Sequence, residues 1–179
     1  MKRMNKGGQE GPVGMSFGTI FAIILIIFIL IVAIYVITKF LGVKSCTEFG
    51  LFKDDLQKAV DRAWNTGGLE GHSEPVNYTL PSQKITKICF VDVNYAGSGD
   101  ANYKEFRKIF GSEKKRNVFF LPLSEACEDF KGIEIRHLNI AKILSGSTKG
   151  YQCLEVTKGK FNAIVKINLG DNLVTIIQT

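Results

Sequence analysis

One segment near the N-terminus constrains this chain more than any other. Residues 15–38 carry no charged side chain, and nine of these 24 positions are isoleucine. As a helix the segment would be about 36 Å long, and the hydrocarbon core of a bilayer is about 30 Å thick. It has no polar face of the kind that an amphipathic helix on a soluble core shows. We therefore expect a transmembrane helix over residues 15–40, after a basic tail (1–14) and before a short linker (41–50).

A cleaved secretory signal is the competing interpretation. Such signals have an apolar core of roughly 7–15 residues and a cleavage site with small residues. The present run is longer, and residues 34–39 at its end contain no pair of small residues. Tyr35 and Lys39 at that end are typical of side chains at a membrane interface. These features favour an anchor that is retained.

The cysteines indicate on which side of the membrane the rest of the chain lies. Basic residues flank the span equally, three on each side, so the positive-inside rule assigns no orientation. All four cysteines follow the span, without a CxxC pair: Cys46, Cys89, Cys127 and Cys153. Two disulfides are expected in an oxidising exterior, with three possible pairings; four free thiols in a cytosolic domain are the alternative. A glycosylation sequon with Asn77 as acceptor also favours an extracytoplasmic domain.

Residues 51–179 are expected to form one α+β domain of mostly antiparallel strands, with an amphipathic helix packed on a sheet. The helix is predicted at 51–65 from its three- and four-residue apolar spacing, with its end at Thr66-Gly67-Gly68. A second, shorter helix is predicted at 102–110. The predicted strands are residues 76–80, 85–93, 117–121, 133–136, 152–156, 161–169 and 173–177. Turn residues at 158–160 and 170–172 predict that the last three strands form a meander.

The charge distribution argues against a nucleic-acid partner. The chain carries a net charge of +6, but residues 1–45 hold five basic and one acidic side chain, which leaves 18 basic and 16 acidic residues beyond them. The run Lys114-Lys115-Arg116 lies beside Glu113 and is typical of a solvated loop. A domain without a general basic field does not indicate nucleic-acid binding. The expected partners are the lipid bilayer and either further copies of this chain or other envelope proteins.

No motif indicates catalysis, a cofactor or a metal. His72 and His137 lie 65 residues apart and lack the spacing of zinc ligands. Neither a GxSxG nor a GxxxxGK[ST] motif occurs. The sequence therefore predicts that the protein is not an enzyme.

The loop at residues 92–100 has a partial likeness to a calcium-binding loop. Asp92, Asn94 and Asp100 occupy three ligand positions of an EF-hand, but the fifth position is Ala96 and the twelfth is not Glu. We interpret the segment as a connection in which Asp100 or the nearby Asn102 caps the next helix.

Residues 6–10, Lys-Gly-Gly-Gln-Glu, precede the apolar span. This arrangement resembles the class III signal peptide of archaeal type IV pilin-like proteins, in which a peptidase cuts after a glycine and the hydrophobic helix stays with the mature protein. The resemblance covers about 30 residues and implies a cut between Gly8 and Gln9.

The chain departs from the pilin pattern at several points. Residues 11–14 separate the cut from the apolar helix, and Glu10 is the second mature residue, whereas bacterial-type pilins place a glutamate at the fifth. The pilin helix also continues from the membrane into the head. Here Gly42, Ser45-Cys46 and Gly50 predict a break.

Small residues recur every four positions along the start of the span, at Gly14, Gly18 and Ala22. Such a face lets membrane helices approach closely and suggests self-association, although small residues are also common in membrane helices generally. Together the patterns predict a single-pass surface protein with an extracytoplasmic contact or structural domain. A minor pilin-like subunit of a filament or secretion apparatus is the alternative.

Overall fold

The computed structural model describes residues 17–97, 99–110 and 115–179, and for residues 41–45, 67–70 and 110 it describes the backbone only. The chain forms two compact units, residues 1–41 and 42–179. The first contains the apolar segment. The second contains all the strands of the described residues and is α+β, as predicted.

The first helix, α1, extends from Phe17 to Glu70, so the expected break within residues 41–50 is wrong. A glycine inside a helix costs about 1 kcal/mol, which packing of the flanking residues can outweigh. Phe49 and Phe52, on either side of Gly50, are both buried. The helix also continues past the end expected at 66–68. It stops before Gly71, whose φ of +74° is the left-handed conformation usual after a helix.

The part of α1 in the second unit is amphipathic, which confirms most of the predicted helix face; Leu51 and Trp64, which the same spacing places on that face, are 58% and 40% exposed. Its buried residues follow three- and four-residue spacing: Phe49, Phe52, Leu56, Ala59, Val60 and Ala63. The ring of Phe52 lies 5.6 Å from that of Phe120 and 6.2 Å from that of Phe161. Because Phe120 and Phe161 belong to different sheets, this face of α1 holds the two sheets in one core.

The strands of the described residues form two antiparallel sheets. The strands are β1 (His72–Thr79), β2 (Lys87–Val91), β3 (Val118–Leu121), β4 (Gly132–Ile133), β5 (Tyr151–Glu155), β6 (Lys160–Ile167) and β7 (Thr175–Gln178). One sheet has the order β1-β6-β7 and the other the order β4-β3-β2-β5. Two further helices, α2 (Ala101–Phe110) and α3 (Ile140–Ile143), complete the unit together with short 3₁₀ helices at Leu123–Glu125 and Glu128–Phe130.

The four-stranded sheet is covered on both faces, which explains why β2 reads as a continuous apolar run. Ile88 and Phe90 belong to the core that includes α1. Cys89 and Val91 face a second cluster, in which Phe106 of α2 packs. A strand buried on both faces has no polar side to alternate with.

The predicted meander is wrong at its first connection. Thr157 and Lys160 exchange two backbone hydrogen bonds of 3.0 Å, and Lys158 and Gly159 both have positive φ, as in a type I′ turn. The turn therefore has the hairpin chemistry that the sequence indicates. Beyond it the strands separate, because β5 pairs with β2 whereas β6 pairs with β1 and β7. The second connection does return β7 onto β6.

The strand predicted at 133–136 is shorter than expected, since β4 ends at Ile133. The side chain of Asn117 replaces the ladder beyond it: its amide nitrogen donates to the Ile135 carbonyl at 2.8 Å, and its oxygen accepts from the Ile135 N–H at 2.9 Å. Gln57 of α1 accepts in the same way from the Arg136 N–H. Side chains thus form hydrogen bonds with the backbone groups that a neighbouring strand would otherwise pair with.

Candidate functional site

The apolar part of α1 is a candidate membrane span. Phe17–Phe40 is a run of 24 residues whose most apolar stretch of 18 residues has a mean hydropathy of 3.6, and it confirms the sequence prediction of a long apolar helix. Gly18 and Ala22 lie one turn apart in it. Gly14, the third small residue, and the processing candidates Gly8 and Gln9 lie outside the described residues.

The four cysteines form two disulfides, Cys46–Cys127 and Cys89–Cys153. Cys89 and Cys153 are direct partners in the register of β2 and β5, so this bridge links neighbouring strands of one sheet. Of the three pairings that the sequence left open, the strand register selects this one.

The other bridge ties α1 to the segment between β3 and β4. Next to Cys46 in α1, the ring of Phe49 stacks on Phe130 at 6.3 Å, and Gly50 faces the same ring. Cys127 therefore lies in a segment that the bridge and an aromatic contact hold against the helix. The two bridges enclose separations of 81 and 64 residues.

Asn77 lies on β1, with its side chain exposed, opposite Asn162 of β6. Since the sheet order is β1-β6-β7, β1 is an edge strand. The exposed side chain is compatible with the sequon prediction, which stays a prediction.

The loop at residues 92–100 caps a helix, as the sequence interpretation held. Asp100 Oδ1 accepts from the backbone N–H of Tyr103 at 3.1 Å, which satisfies the first turn of α2. Asp92 Oδ1 accepts from the Asn94 N–H at 2.9 Å and closes a local turn. In the part of the chain that the structure describes, no three acidic, histidine or cysteine side chains are grouped as metal ligands.

The second oxygen of Asp100 joins a small polar network. Oδ2 accepts from the Tyr151 hydroxyl at 2.6 Å and lies 3.8 Å from Lys149 Nζ. Burial alone would raise the pKa of Asp100, but the hydrogen bonds from Tyr151 and Tyr103, with the Lys149 charge, hold it below its ordinary value. Burial and the same carboxylate raise the pKa of Tyr151. Tyr151 and Lys149 also line a polar depression of about 450 Å³, together with Ser147.

The two histidines contact different carboxylates. His72 Nε2 lies 3.7 Å from Glu74, whose pKa is lowered chiefly by its hydrogen bond from Arg62. His137 Nδ1 lies 3.0 Å from Asp61 Oδ1.

His137 lies directly after the strand predicted at residues 133–136, in a turn with a φ of +65°. Its ring stacks on Trp64 with the ring centroids 3.9 Å apart, and Trp64 Nε1 donates to the Asn172 carbonyl. Sequence reasoning missed this cluster, because the three residues are far apart in the chain. The available signal for this cluster was the single tryptophan of the chain, Trp64, near the end of the helix predicted at residues 51–65.

A groove of about 360 Å³ lies between α1 and the C-terminal half of β1. The helix contributes Glu48, Leu51, Phe52 and Asp55, and the strand side contributes residues 77–81. The Tyr78 hydroxyl donates to the Asp55 carbonyl at 3.0 Å and fixes the helix against the strand. This groove brings the sequon residue Asn77 beside α1, which no sequence pattern indicated.

Comparisons with known proteins found no match to a protein-family model, a curated protein or a solved structure.

Proposed function

We propose that this chain is a single-pass membrane protein whose disulfide-bonded domain lies on the extracytoplasmic side and makes contacts in the cell envelope. One observation carries the proposal, the 24-residue apolar run Phe17–Phe40. Its large apolar side chains are between 42% and 85% exposed. A continuous apolar surface of this size is unfavourable in water and favourable in lipid.

The two disulfides support the extracytoplasmic side. Disulfides persist in oxidising compartments and are rare in reducing ones. Both bridges lie in the second unit, and the described residues include no free cysteine. A contact role, not a catalytic one, is supported by the sequence, which has no nucleophile–base or metal-ligand motif.

Two measurements on cells that express the full chain test the proposal. We expect the chain to stay in the membrane pellet after extraction with alkaline carbonate. We also expect no mass increase when the denatured but unreduced chain is treated with a maleimide-linked polymer, and four additions after reduction. Release into the supernatant, or labelling without reduction, would contradict the proposal.

The runner-up is a minor pilin-like subunit of a filament or secretion apparatus. The continuity of α1 from Phe17 to Glu70 supports it, because a helix that runs on past the apolar segment is a feature of the pilin pattern. The tail before the span supports it through its resemblance to class III signal peptides. N-terminal sequencing of the mature protein separates the two functions: a start at Gln9 favours the subunit, and a start at Met1 or Lys2 removes this alternative.

A further inference from the structure

Among the residues that the structure describes, the backbone groups on the outer edge of β1 have no hydrogen-bond partner. The Leu80 N–H donates to the Gly159 carbonyl at 2.7 Å, which sets the phase of the β1–β6 ladder. In an antiparallel pair the hydrogen-bonded positions alternate, so Tyr78 faces β6 with its backbone groups whereas Asn77 and Thr79 direct theirs away. Within the described part of the chain, β6 is the only strand that pairs with β1.

Pro75 restricts this open edge to one half of the strand. It occupies one of the outward positions, where its missing N–H leaves the β6 ladder intact. Proline at an edge hinders the addition of another strand. The N–H groups of Asn77 and Thr79 remain, in the half of β1 that lines the groove.

The helix wall of the groove has the side chains of a recognition surface. Leu51 is 58% exposed although it is a large apolar residue, and it lies beside the carboxylate of Asp55. None of the nine residues that line the groove is basic. Lys58 contacts Asp55 at 3.4 Å, and both side chains are more than half exposed, so this ion pair is weak and can be exchanged.

We propose that this groove binds an extended segment of a partner protein, added to β1 as a further strand. Only another extended backbone satisfies the outward N–H and C=O groups of Asn77 and Thr79 in register. The side chains of the segment that face α1 would be apolar against Leu51 and basic toward Asp55. The proposal deepens the contact role proposed above. It depends on that role in one respect, that the partner must lie on the extracytoplasmic side of the membrane.

A second copy of this chain fits the groove less well than a basic partner. Pairing between two β1 edges would bring Pro75 of each copy into the ladder, where it lacks a donor. It would also bring the Asp55 carboxylates of the two copies together, and like charges oppose association. The described residues therefore favour a partner of opposite charge.

Binding is tested on the full chain in detergent micelles with a fluorescent probe peptide, acetyl-Thr-Val-Thr-Lys-Thr-Val-Thr-amide. Its valines and lysine lie on one face when it is extended. We expect saturable binding by fluorescence anisotropy in the micromolar to millimolar range, and at least tenfold weaker binding when glutamate replaces the lysine. No saturation at millimolar peptide, or equal binding of both peptides, overturns the proposal.

A matched pair of variants locates the site. Thr79→Pro removes an outward donor inside the groove, and Ser73→Pro places proline at an outward position at the other end of β1. We expect Thr79→Pro to weaken binding at least tenfold and Ser73→Pro to leave it unchanged; equal affinities for the two variants overturn the proposal. If Thr79→Pro does not fold, hydrogen exchange on the wild-type chain tests the site instead. Bound peptide must then slow the exchange of the amide hydrogens of Asn77 and Thr79.

The sequon provides an independent check. A glycan on Asn77 would occupy the groove and block strand addition, so mass spectrometry of the native protein must find Asn77 unmodified in at least part of the molecules. Full occupancy by a glycan overturns the proposal. Failure of the membrane-extraction test would remove the anchored function but not the peptide binding, so the two failures are distinguishable.

Discussion

Asp100 shows how one side chain serves two elements. One carboxylate oxygen caps α2 through the Tyr103 N–H, and the other accepts from Tyr151 of β5. The helix and the strand are therefore joined through a group whose charge strengthens both hydrogen bonds.

We expect Asp100→Asn to reduce the acid sensitivity of the fold. Because the pKa of Asp100 is lowered in the folded state, its stabilisation is present above the ordinary carboxyl pKa and is lost as the pH falls through the folded value. Asparagine still caps a helix, so the variant should lose at most about 1 kcal/mol at pH 7 and should lose less than the wild type between pH 5 and pH 3. Urea denaturation at several pH values measures this. The lowered pKa values of Glu74 and Asp171 affect both proteins alike, and parallel pH profiles would contradict the assignment.

Gly150 and Gly146 form a matched pair for testing the packing of Tyr95. Both have positive φ, which costs an alanine about 1–2 kcal/mol. At Gly146 an added Cβ meets nothing within 4 Å, whereas at Gly150 it would lie 2.5 Å from the Tyr95 ring. Thermal unfolding should therefore show a clearly larger loss of stability for Gly150→Ala than for Gly146→Ala. Similar losses of stability would show that the Tyr95 ring moves aside at little energetic cost.

At the scale of elements, α1 is the clearest case of tertiary packing that overrides local signals. Its glycines suggest a stop, and the helix continues because residues on both sides of Gly50 are buried. Strand β4 shows the opposite, since its alternating sequence stops pairing where Asn117 supplies the hydrogen bonds.

Gly50→Ala should stabilise the domain by about 0.5–1 kcal/mol, because alanine favours a helix interior and the added Cβ would lie 3.5 Å from Phe130, an ordinary contact. Gly71→Ala is the control and should destabilise the domain, since Gly71 follows the helix with a φ of +74°. Chemical denaturation measures both, and a loss of stability in Gly50→Ala would argue for a break at that position.

The small-residue face of the span has its own prediction. Gly18→Ile should reduce crosslinking between copies in membranes, because the larger side chain prevents close approach of two helices. Ile31→Val, on a different face of α1, is the control and should leave crosslinking unchanged. An unaltered pattern in Gly18→Ile would remove the hypothesis of association through this face.

At the scale of the whole molecule, the disulfides join parts that are distant in the chain. Cys46 is in α1 and Cys127 follows β3, while the second bridge lies within the four-stranded sheet. A small domain with such links depends on its oxidation state.

Replacing Cys46 and Cys127 together by serine should lower the free energy of unfolding by about 4 kcal/mol, the chain-entropy value for a loop of this length. Guanidinium denaturation of the oxidised proteins measures the difference, which should vanish in excess reductant when Cys89–Cys153 is reduced in both proteins. Equal stability under oxidising conditions would mean that the bridge constrains little in the unfolded chain.

Much of the local structure could be predicted from the sequence, because local structure depends on side-chain periodicity. Most of the apolar face of residues 51–65, the short helix that ends at Phe110 and the centres of most strands follow from it. The first half of β1 was missed since its residues, His72–Pro75, are polar or proline, and their strand conformation depends on pairing with β6. The groove beside Asn77 could not be predicted, since it needs the position of α1 against a strand edge.

The amino-acid sequence by itself determined the long apolar helix, the even cysteine set and the α+β class, and it limited the cap of α2 to Asp100 or Asn102, because each depends on residues adjacent in the chain or on composition. Only the tertiary structure decided the disulfide pairing, the separation of β5 and β6 into two sheets, and the continuity of α1 through Gly50. These depend on contacts between residues far apart in the chain, where the burial of aromatic side chains outweighs local preferences.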